Sequence, residues 1–409
     1  MRKVTLVVLG IVLLLGFAGL AKQTIVLNSY MSDPAPKAAL EQLVQNFEAA
    51  NPDYSVVVNT FAHEDFKTLL RTWLPMEKAP DVVTWFAGER MRYFASQGLL
   101  EPLSTVFGED GFTSYFPSSF KSSCEYGGET YFLPQSWYWW GVYYRKSIFQ
   151  SLGIQVPVTW AQFLNACDKI KSASYIPITI GTKYLWTAAG WFDYLDLRVN
   201  GFSFHMDLTA GKIPYTDPRV KKVFEYWGQL VAKDYFIKDH AAYSWQEAAN
   251  YLFTGKAAMY LMGQFIFDAA PEAVKSDLGF FRVPVIDGSL GLYEETPIDG
   301  FMIPANATNK DGAKLFLKYI ASKEAQESFA VQLGRLAANK DVAPPDVQAQ
   351  QGLDMILASD GVSQFYDRDT NPEMATAGMN GFVEFMMYPD RLDSILQQLE
   401  NKRLEIFGK

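Results

Sequence analysis

From Thr24 to Gly98 the chain alternates short apolar runs with amphipathic ones in the order β-α-β-α-β-α, and few architectures accept that order. Thr24-Ile25-Val26-Leu27 reads as a strand. The turn-rich segment Asn28 to Pro34 follows, then a helix with Leu40, Leu43, Val44 and Phe47 on one face, stopped by Asn51-Pro52. Val56-Val57-Val58 is the next strand, Glu64 to Leu74 the next helix and Asp81 to Trp85 the third strand; a third helix runs past Arg92 and ends at Gly98. Strands joined by helices pair in parallel, with helices on both faces of the sheet. Ligands on such sheets bind beyond the carboxyl ends of the strands. That rule makes Asn28 to Asp33, Phe61 to Glu64 and Trp85 to Glu89 candidate site segments.

The pattern restarts further on. Thr159 and Gln162 fit a capping box ahead of a helix whose apolar face carries Phe163, Leu164, Cys167 and Ile170. Ile176 to Ile180 is a strand, Trp186 to Leu197 a helix, and Thr216-Asp217-Pro218 opens a helix through Val223, Trp227 and Leu230. Trp245 to Phe253 is a helix, and Lys256 to Met262, closed by Gly263, a buried strand. Past Leu278 come short strands and turns, a strand at Asp299 to Pro304, and helices at Asp311 to Ala321 and Leu392 to Leu399. A chain of 409 residues exceeds one ordinary core. With no repeat or low-complexity linker, the expectation is two packed α/β lobes joined by several short crossings.

Between the two units lies Leu133 to Tyr144, in which six of twelve residues are Trp or Tyr. Such a run fills a core or walls a pocket for a flat-faced ligand such as a pyranose; the polar tips of Trp and Tyr suit a mixed site. Net charge is −9 with no basic block, which argues against a nucleic-acid partner. Arg2 and Lys3, the apolar stretch Val4 to Leu20 and Ala21 form a secretory-signal pattern, with an uncleaved membrane anchor as the alternative. The chain is therefore expected to be exported. A disulfide between Cys124 and Cys167 is possible in an oxidising compartment, but Cys167 on an apolar helix face reads as a small core residue.

Catalytic grammar is missing. There is no G-x-S-x-G elbow, P-loop, G-x-G-x-x-G or H-E-x-x-H. His63, His205 and His240 are too far apart in sequence for metal-ligand spacing, so neither metal nor cofactor is expected. Glu64-Asp65 is the most suggestive acidic pair, but at a helix start it also serves the helix dipole. An exported, aromatic-rich, two-lobed chain of this kind reads as a binding protein rather than an enzyme.

Several segments, in order, resemble the carbohydrate-type extracellular solute-binding proteins of ABC importers. They are Phe47-Glu48-Ala49-Ala50-Asn51-Pro52, Ala79-Pro80-Asp81-Val82-Val83, Gln97-Gly98-Leu99-Leu100-Glu101-Pro102-Leu103, Tyr126 to Pro134, Tyr143-Tyr144-Arg145-Lys146, Pro157-Val158-Thr159-Trp160 and Phe253 to Met259. Leu333 to Asn339 resembles a segment that reads Gly-x-x-Pro-Ala in relatives, with Ala337 here in place of the Pro. The resemblance implies the two-lobed periplasmic-binding-protein-like α/β fold of type II, with a sugar in the cleft between lobes and delivery to a permease. It places lobe 1 at 22–137 plus 284–333 and lobe 2 at 138–283 plus 334–409. The crossings then fall near Leu133 to Trp140, Arg282 to Val285 and Leu333 to Ala337. Expected ligand contacts are Tyr30 and Asp33; His63, Glu64 and Asp65; Trp85 and Glu89; Trp137, Tyr138 and Trp139; Trp186, Tyr243 and Trp245; Gly263 and Gln264; and Asp299, Gly300 and Arg335. Trp73, Trp160 and Trp227 are assigned to the core. The expected partners are a mono- or short oligosaccharide and the importer's membrane subunits, the protein itself being a monomer. A secreted glycoside hydrolase with two cleft carboxylates and a binder of peptides or polyols are the alternatives.

Overall fold

The computed structural model describes residues 22–108 and 111–408. The expected leader, 1–21, lies outside them. The strands that position the site are β1 (Gln23–Ser29), β2 (Tyr54–Thr60), β3 (Val82–Phe86), β4 (Leu133–Trp137), β5 (Trp140–Arg145), β6 (Ile176–Ile178), β7 (Ala257–Gly263), β8 (Leu278–Phe281), β9 (Ile298–Met302) and β10 (Leu336–Ala337). They form a six-stranded sheet in the order β10-β4-β9-β3-β1-β2 and a four-stranded sheet in the order β8-β5-β7-β6. β1 pairs in parallel with both β2 and β3, as the alternation predicts.

The first sheet is not wholly parallel, which corrects the simple reading. β9 is antiparallel to β3 and to β4, and β10 is antiparallel to β4. For β9 the reason is direction of entry. β1 to β3 end at the cleft, so a strand that arrives from the other half of the molecule enters at that same end and runs the opposite way.

Buried apolar residues form two large clusters. One takes residues from Ile25 to Leu133 and from Ile298 to Ala338; the other takes Tyr138 to Val283 and Phe365 to Leu399. The fold is α/β and two-lobed. The main chain passes between the cores after Leu133, after Val283 and after Ala338. Leu336 and Ala337 extend the first sheet, so the last passage runs later than the resemblance implied. Cys124 lies in one core and Cys167 in the other, both as free thiols, so the possible disulfide does not form. Trp160 and Trp227 are buried in the second core, and Trp73 packs on Phe61 and Phe66.

The helices that carry the site are α1 (Pro34–Ala50), α2 (His63–Trp73), α3 (Glu89–Ala95), α4 (Trp186–Val199), α5 (Phe202–Thr209), α6 (Trp245–Phe253) and α7 (Pro372–Met387). Their starts are set locally. Pro34 occupies the first turn of α1, where its missing N–H costs nothing. Ser244 and Glu247 close a capping box on α6, which fixes where Trp245 begins. Leu40, Leu43, Val44 and Phe47 bury one face of α1, each worth about 1.5–3 kcal/mol of burial.

A buried polar network ties the second core to the second passage. Arg198 of α4 donates to Glu294 at 3.1 Å and to the Tyr293 carbonyl at 2.6 Å, and Arg282 pairs with the same Glu294. Nearby, His205 of α5 hydrogen-bonds Asp196 at 2.9 Å, and the Tyr366 N–H donates to Asp193 at 2.9 Å. Burial alone would lower the His205 imidazole, but Asp196 and Asp193 outweigh it and raise it to about 9. Burial holds the Asp193 and Glu295 carboxyls well above the usual carboxylate range.

Candidate functional site

A cavity of about 720 Å³ opens between the two cores, within the usual size range for a small-ligand site. Residues that follow the strands of the first sheet form one wall: Tyr30 and Asp33 after β1, His63, Glu64 and Asp65 at the start of α2, and Phe86 at the end of β3. Asp299 of β9 completes it. The second core contributes Tyr138, Trp140, Trp186, Trp245, Phe265 and Asp268. Arg335 comes from just before the last passage, and Phe365, Asp367 and Arg368 from just after it.

The second wall is an aromatic cluster around Phe265. Trp245 meets that ring edge-on with centroids 5.1 Å apart, and Trp186 and Trp140 do so at 6.2 and 6.1 Å. Trp140 also packs on Phe365 at 4.3 Å. Edge-to-face contacts hold such rings rigidly and leave other faces for a ligand. Two glycines make the packing possible. A Cβ at Gly263 would lie 2.5 Å from Phe265 and 2.7 Å from the Trp140 indole nitrogen, and one at Gly190 would lie 3.1 Å from the Trp140 ring.

The opposite wall is charged and internally paired. Arg368 donates to Asp299 at 2.9 Å and to the Tyr138 hydroxyl at 3.3 Å, with its guanidinium 4.2 Å above the Phe86 ring. Arg335 donates to Asp268 and lies 5.9 Å from the Tyr138 ring centre. Arg90 grips Asp367 through its carbonyl at 2.6 Å and its carboxylate at 2.7 Å. Glu64 accepts from Lys67 at 2.9 Å and pairs with His63 at 3.1 Å. Burial would raise the Glu64 carboxyl, but these two neighbours bring it down to about 2. Burial lowers the His63 imidazole, helped by the Lys67 charge, so it is neutral near pH 7. Burial raises the Tyr30 and Tyr138 phenols, with the Asp299 charge adding to it, so both remain hydroxyl donors. The Tyr30 hydroxyl, the Trp140 Nε1 and the Arg335 Nε are buried and have no hydrogen-bond partner among the described residues. Rigid aromatic faces opposite pre-aimed donors and acceptors suit a ligand that is flat on one side and rich in hydroxyls at its rim.

The profile of the bacterial extracellular solute-binding protein family matches residues 32–327. The chain belongs to that family. An ABC transporter extracellular-binding protein of Pyrococcus horikoshii, itself uncharacterized, is 29% identical over 319 residues, 76% of this chain and 70% of that one. Among solved structures, the bacterial solute receptor AcbH superposes with a TM-score of 0.90 at 33% identity, covering 95% of this chain and 100% of that one. AcbH is described as having an exclusive preference for β-D-galactopyranose. A chitin oligosaccharide binding protein has the same fold, with a TM-score of 0.86 at 21% identity over 94% of this chain and 98% of that one.

In this solute-binding protein the cavity gathers Tyr30, Asp33, His63, Glu64, Asp65, Tyr138, Trp186, Trp245, Asp299 and Arg335 from the sequence candidates. The other candidates do not line it. Trp85 is buried under the site, with its indole donating to the Arg90 carbonyl at 3.3 Å. Glu89 pairs with Arg92 at 3.0 Å. Trp137 packs on Phe120 and donates to the Ala337 carbonyl, while Trp139 is fully buried in a small cluster with Leu336 and Ile356. Tyr243 accepts from the Tyr251 hydroxyl at 3.2 Å. Gly263 serves the aromatic packing rather than the ligand. Gln264 donates to the Leu333 and Gly334 carbonyls and so ties β7 to the last passage. Gly300 is bare because the Leu133 carbonyl presses on it.

Trp140 is the cavity residue that the aromatic run concealed. Alternation along an extended chain sends Trp137 and Trp139 one way and Tyr138 and Trp140 the other, so a split by sequence blocks fails. Phe265 and Lys67 were also missed, though the first follows the candidate Gln264 and the second is one helical turn from Glu64; Phe86 falls within the candidate segment Trp85 to Glu89 without being singled out. Phe365 to Arg368 were missed altogether; their only sequence signal is the dense mix of aromatic and charged residues from Gln364 to Asp369.

Proposed function

We propose that the protein is the extracytoplasmic binding component of an ABC importer and that it captures a pyranose-containing saccharide in the interlobe cavity. The observation that carries this reading is the cavity's chemistry: a rigid aromatic wall of Trp140, Trp186, Trp245 and Phe265 faces Asp299, Arg335, Arg368, Glu64 and Asp33. A sugar's C–H face stacks on the first set and its hydroxyls reach the second. Family membership and the AcbH likeness, with its galactopyranose preference, support the same class of ligand. Binding rather than hydrolysis is favoured by four of the six cavity carboxylates, Glu64, Asp268, Asp299 and Asp367, each of which already carries a cationic partner; Asp33 and Asp65 carry none among the described residues. No helix among the described residues is long and apolar enough to cross a membrane. The expected leader is proposed to direct export, and the folded chain to act as a monomer that hands its ligand to the permease.

The test is a titration of the protein without its leader against monosaccharides and short oligosaccharides, read by Trp fluorescence and thermal shift. A ligand at a hundred times its Kd adds about 2.7 kcal/mol to stability. Trp245→Ala should weaken binding by about 1–3 kcal/mol with the fold intact. A broad panel that moves neither signal, or release of new reducing ends from an oligosaccharide, would defeat the reading.

A further inference from the structure

The cavity continues past its inner wall. A second cavity of about 430 Å³ adjoins it, and Glu64, Lys67, Tyr184, Trp186 and Asp367 line both. The shared lining makes the two adjoining compartments of one cleft. The smaller holds about 14 water volumes, and by itself falls in the range of small-ligand sites. Its walls are α2, α3 and the first turns of α7.

The chemistry of the two compartments differs. The larger offers the aromatic cluster; the smaller has aromatic faces of its own in Trp85, Tyr93 and Phe94, and adds Thr68, Arg71 and Thr376 beside the Lys67–Glu64 and Arg90–Asp367 pairs. With two cations already paired, Arg71, Thr68 and the Thr376 hydroxyl, which donates to the Pro372 carbonyl at 2.9 Å and can still accept, are left to meet a polar guest.

The divider is built on strain. Leu185 has φ 68° and ψ −45°, a region that residues with a Cβ rarely adopt. The Trp186 N–H donates to the Tyr184 carbonyl at 2.8 Å, which closes a γ-turn of the rare positive-φ hand. This turn packs Leu185 and Trp186 against the second core and leaves Tyr184 substantially exposed where the compartments meet. Strain of this sort persists where the surroundings impose it, and it clusters at ligand clamps.

Resting on the saccharide reading above, we propose that the ligand is a glycoside of at least two units. The pyranose lies against Trp186 and Trp245 in the larger compartment. The linkage passes between Tyr184 and Glu64, and the second unit lies in the smaller compartment against Tyr93, Arg71 and Thr376.

Isothermal titration of galactose, glucose and xylose, and of lactose, melibiose, maltose, cellobiose and xylobiose, tests this on the parent protein and on Thr376→Trp. Thr376 is exposed on α7, so a bulky side chain there fills the smaller compartment without entering a core. A disaccharide should bind about tenfold or more tighter than the monosaccharide it contains. In Thr376→Trp the ratio of the two affinities should fall to about one. A monosaccharide that binds as tightly as every disaccharide containing it overturns the two-compartment proposal and leaves the saccharide reading standing. A ratio untouched by Thr376→Trp also overturns the proposal. Failure of every sugar to bind removes both.

Discussion

Replacing Gly263 by Ala should damage binding through two rings that the new methyl group pushes. Gly263 ends β7 and sits opposite Trp140 in the β5–β7 ladder. Its Cβ would lie 2.5 and 2.9 Å from two atoms of Phe265 and 2.7 Å from the Trp140 nitrogen. Carbon contacts relax only near 3.5–4.0 Å, so each ring must give by about 1 Å. Trp140 has little room behind it, because Phe365 lies 4.3 Å away and a Gly190 Cβ position is 3.1 Å from the ring. The rings therefore move toward the cavity or the strands part. Overpacking of this kind costs about 1–3 kcal/mol, which at roughly 2–4 °C per kcal/mol lowers Tm by about 2–12 °C. Sugar affinity should fall by about tenfold or more, since two faces of the stacking wall are displaced. Gly228→Ala is the control: its Cβ meets only one Phe385 atom, at 3.7 Å, so it should be neutral or stabilising by about 0.5–1 kcal/mol. Thermal melts and titration calorimetry on both variants decide. A Gly263→Ala protein with unchanged Tm and affinity would mean the rings are not held as described, and lost stability with full affinity would remove Trp140 and Phe265 from the ligand's wall.

Arg368→Met should cost about 3–5 kcal/mol in urea unfolding, because it leaves the Asp299 carboxylate buried without its partner. Asp299→Asn combined with Arg368→Met should recover much of that loss; a double variant no better than the single one speaks against the pair. His205 is raised to about 9 in the fold against about 6.5 when unfolded, so its contribution, at most roughly 3 kcal/mol, is present below pH 6.5 and lost as pH rises to 9. His205→Asn should flatten that slope in urea midpoints measured across the window, and an unaltered slope would place the titrating group elsewhere. Because Cys124 and Cys167 are free and lie in different cores, Tm should be the same with and without dithiothreitol, and a drop on reduction would show a disulfide.

The parts of the fold that were legible in the sequence are those decided locally. The i, i+3, i+4 face of α1, the capping box at Thr159 and the apolar run of β7 all lie where local pattern puts them. The antiparallel insertion of β9 was not legible, because it depends on which end of the sheet a returning strand reaches. Site residues followed the same division. Tyr30, Asp33, His63 and Glu64 follow strand ends and were found by rule. Arg368 reaches Asp299 across 69 positions of sequence and Tyr138 across 230, a proximity that only the two-lobed topology creates. Trp139 and Trp140 are neighbours in sequence with opposite fates, and composition cannot separate them.

Of the four cation–carboxylate pairs at the cavity, Lys67–Glu64 lies within α2, and the other three each join parts of the chain that belong to different cores or passages. Arg90 packs with the first core and Asp367 with the second; Arg368 follows Tyr366 of the second core and bonds Asp299 in the first sheet; Arg335 precedes β10 of the first sheet and bonds Asp268 beside β7. The groups aimed at the ligand are therefore the same groups that fix one lobe against the other. A ligand hydroxyl that takes a hydrogen bond from Arg335 or gives one to Asp299 changes the strength of a bond between lobes. Ligand affinity and lobe orientation then share one free energy, and each must shift the other by the same amount. This accounts for the charged wall better than recognition alone. A neutral sugar needs donors and acceptors, which uncharged amides and hydroxyls could provide, whereas holding two lobes in register across a solvent-facing cleft calls for the stronger, geometrically demanding Arg–carboxylate pairs.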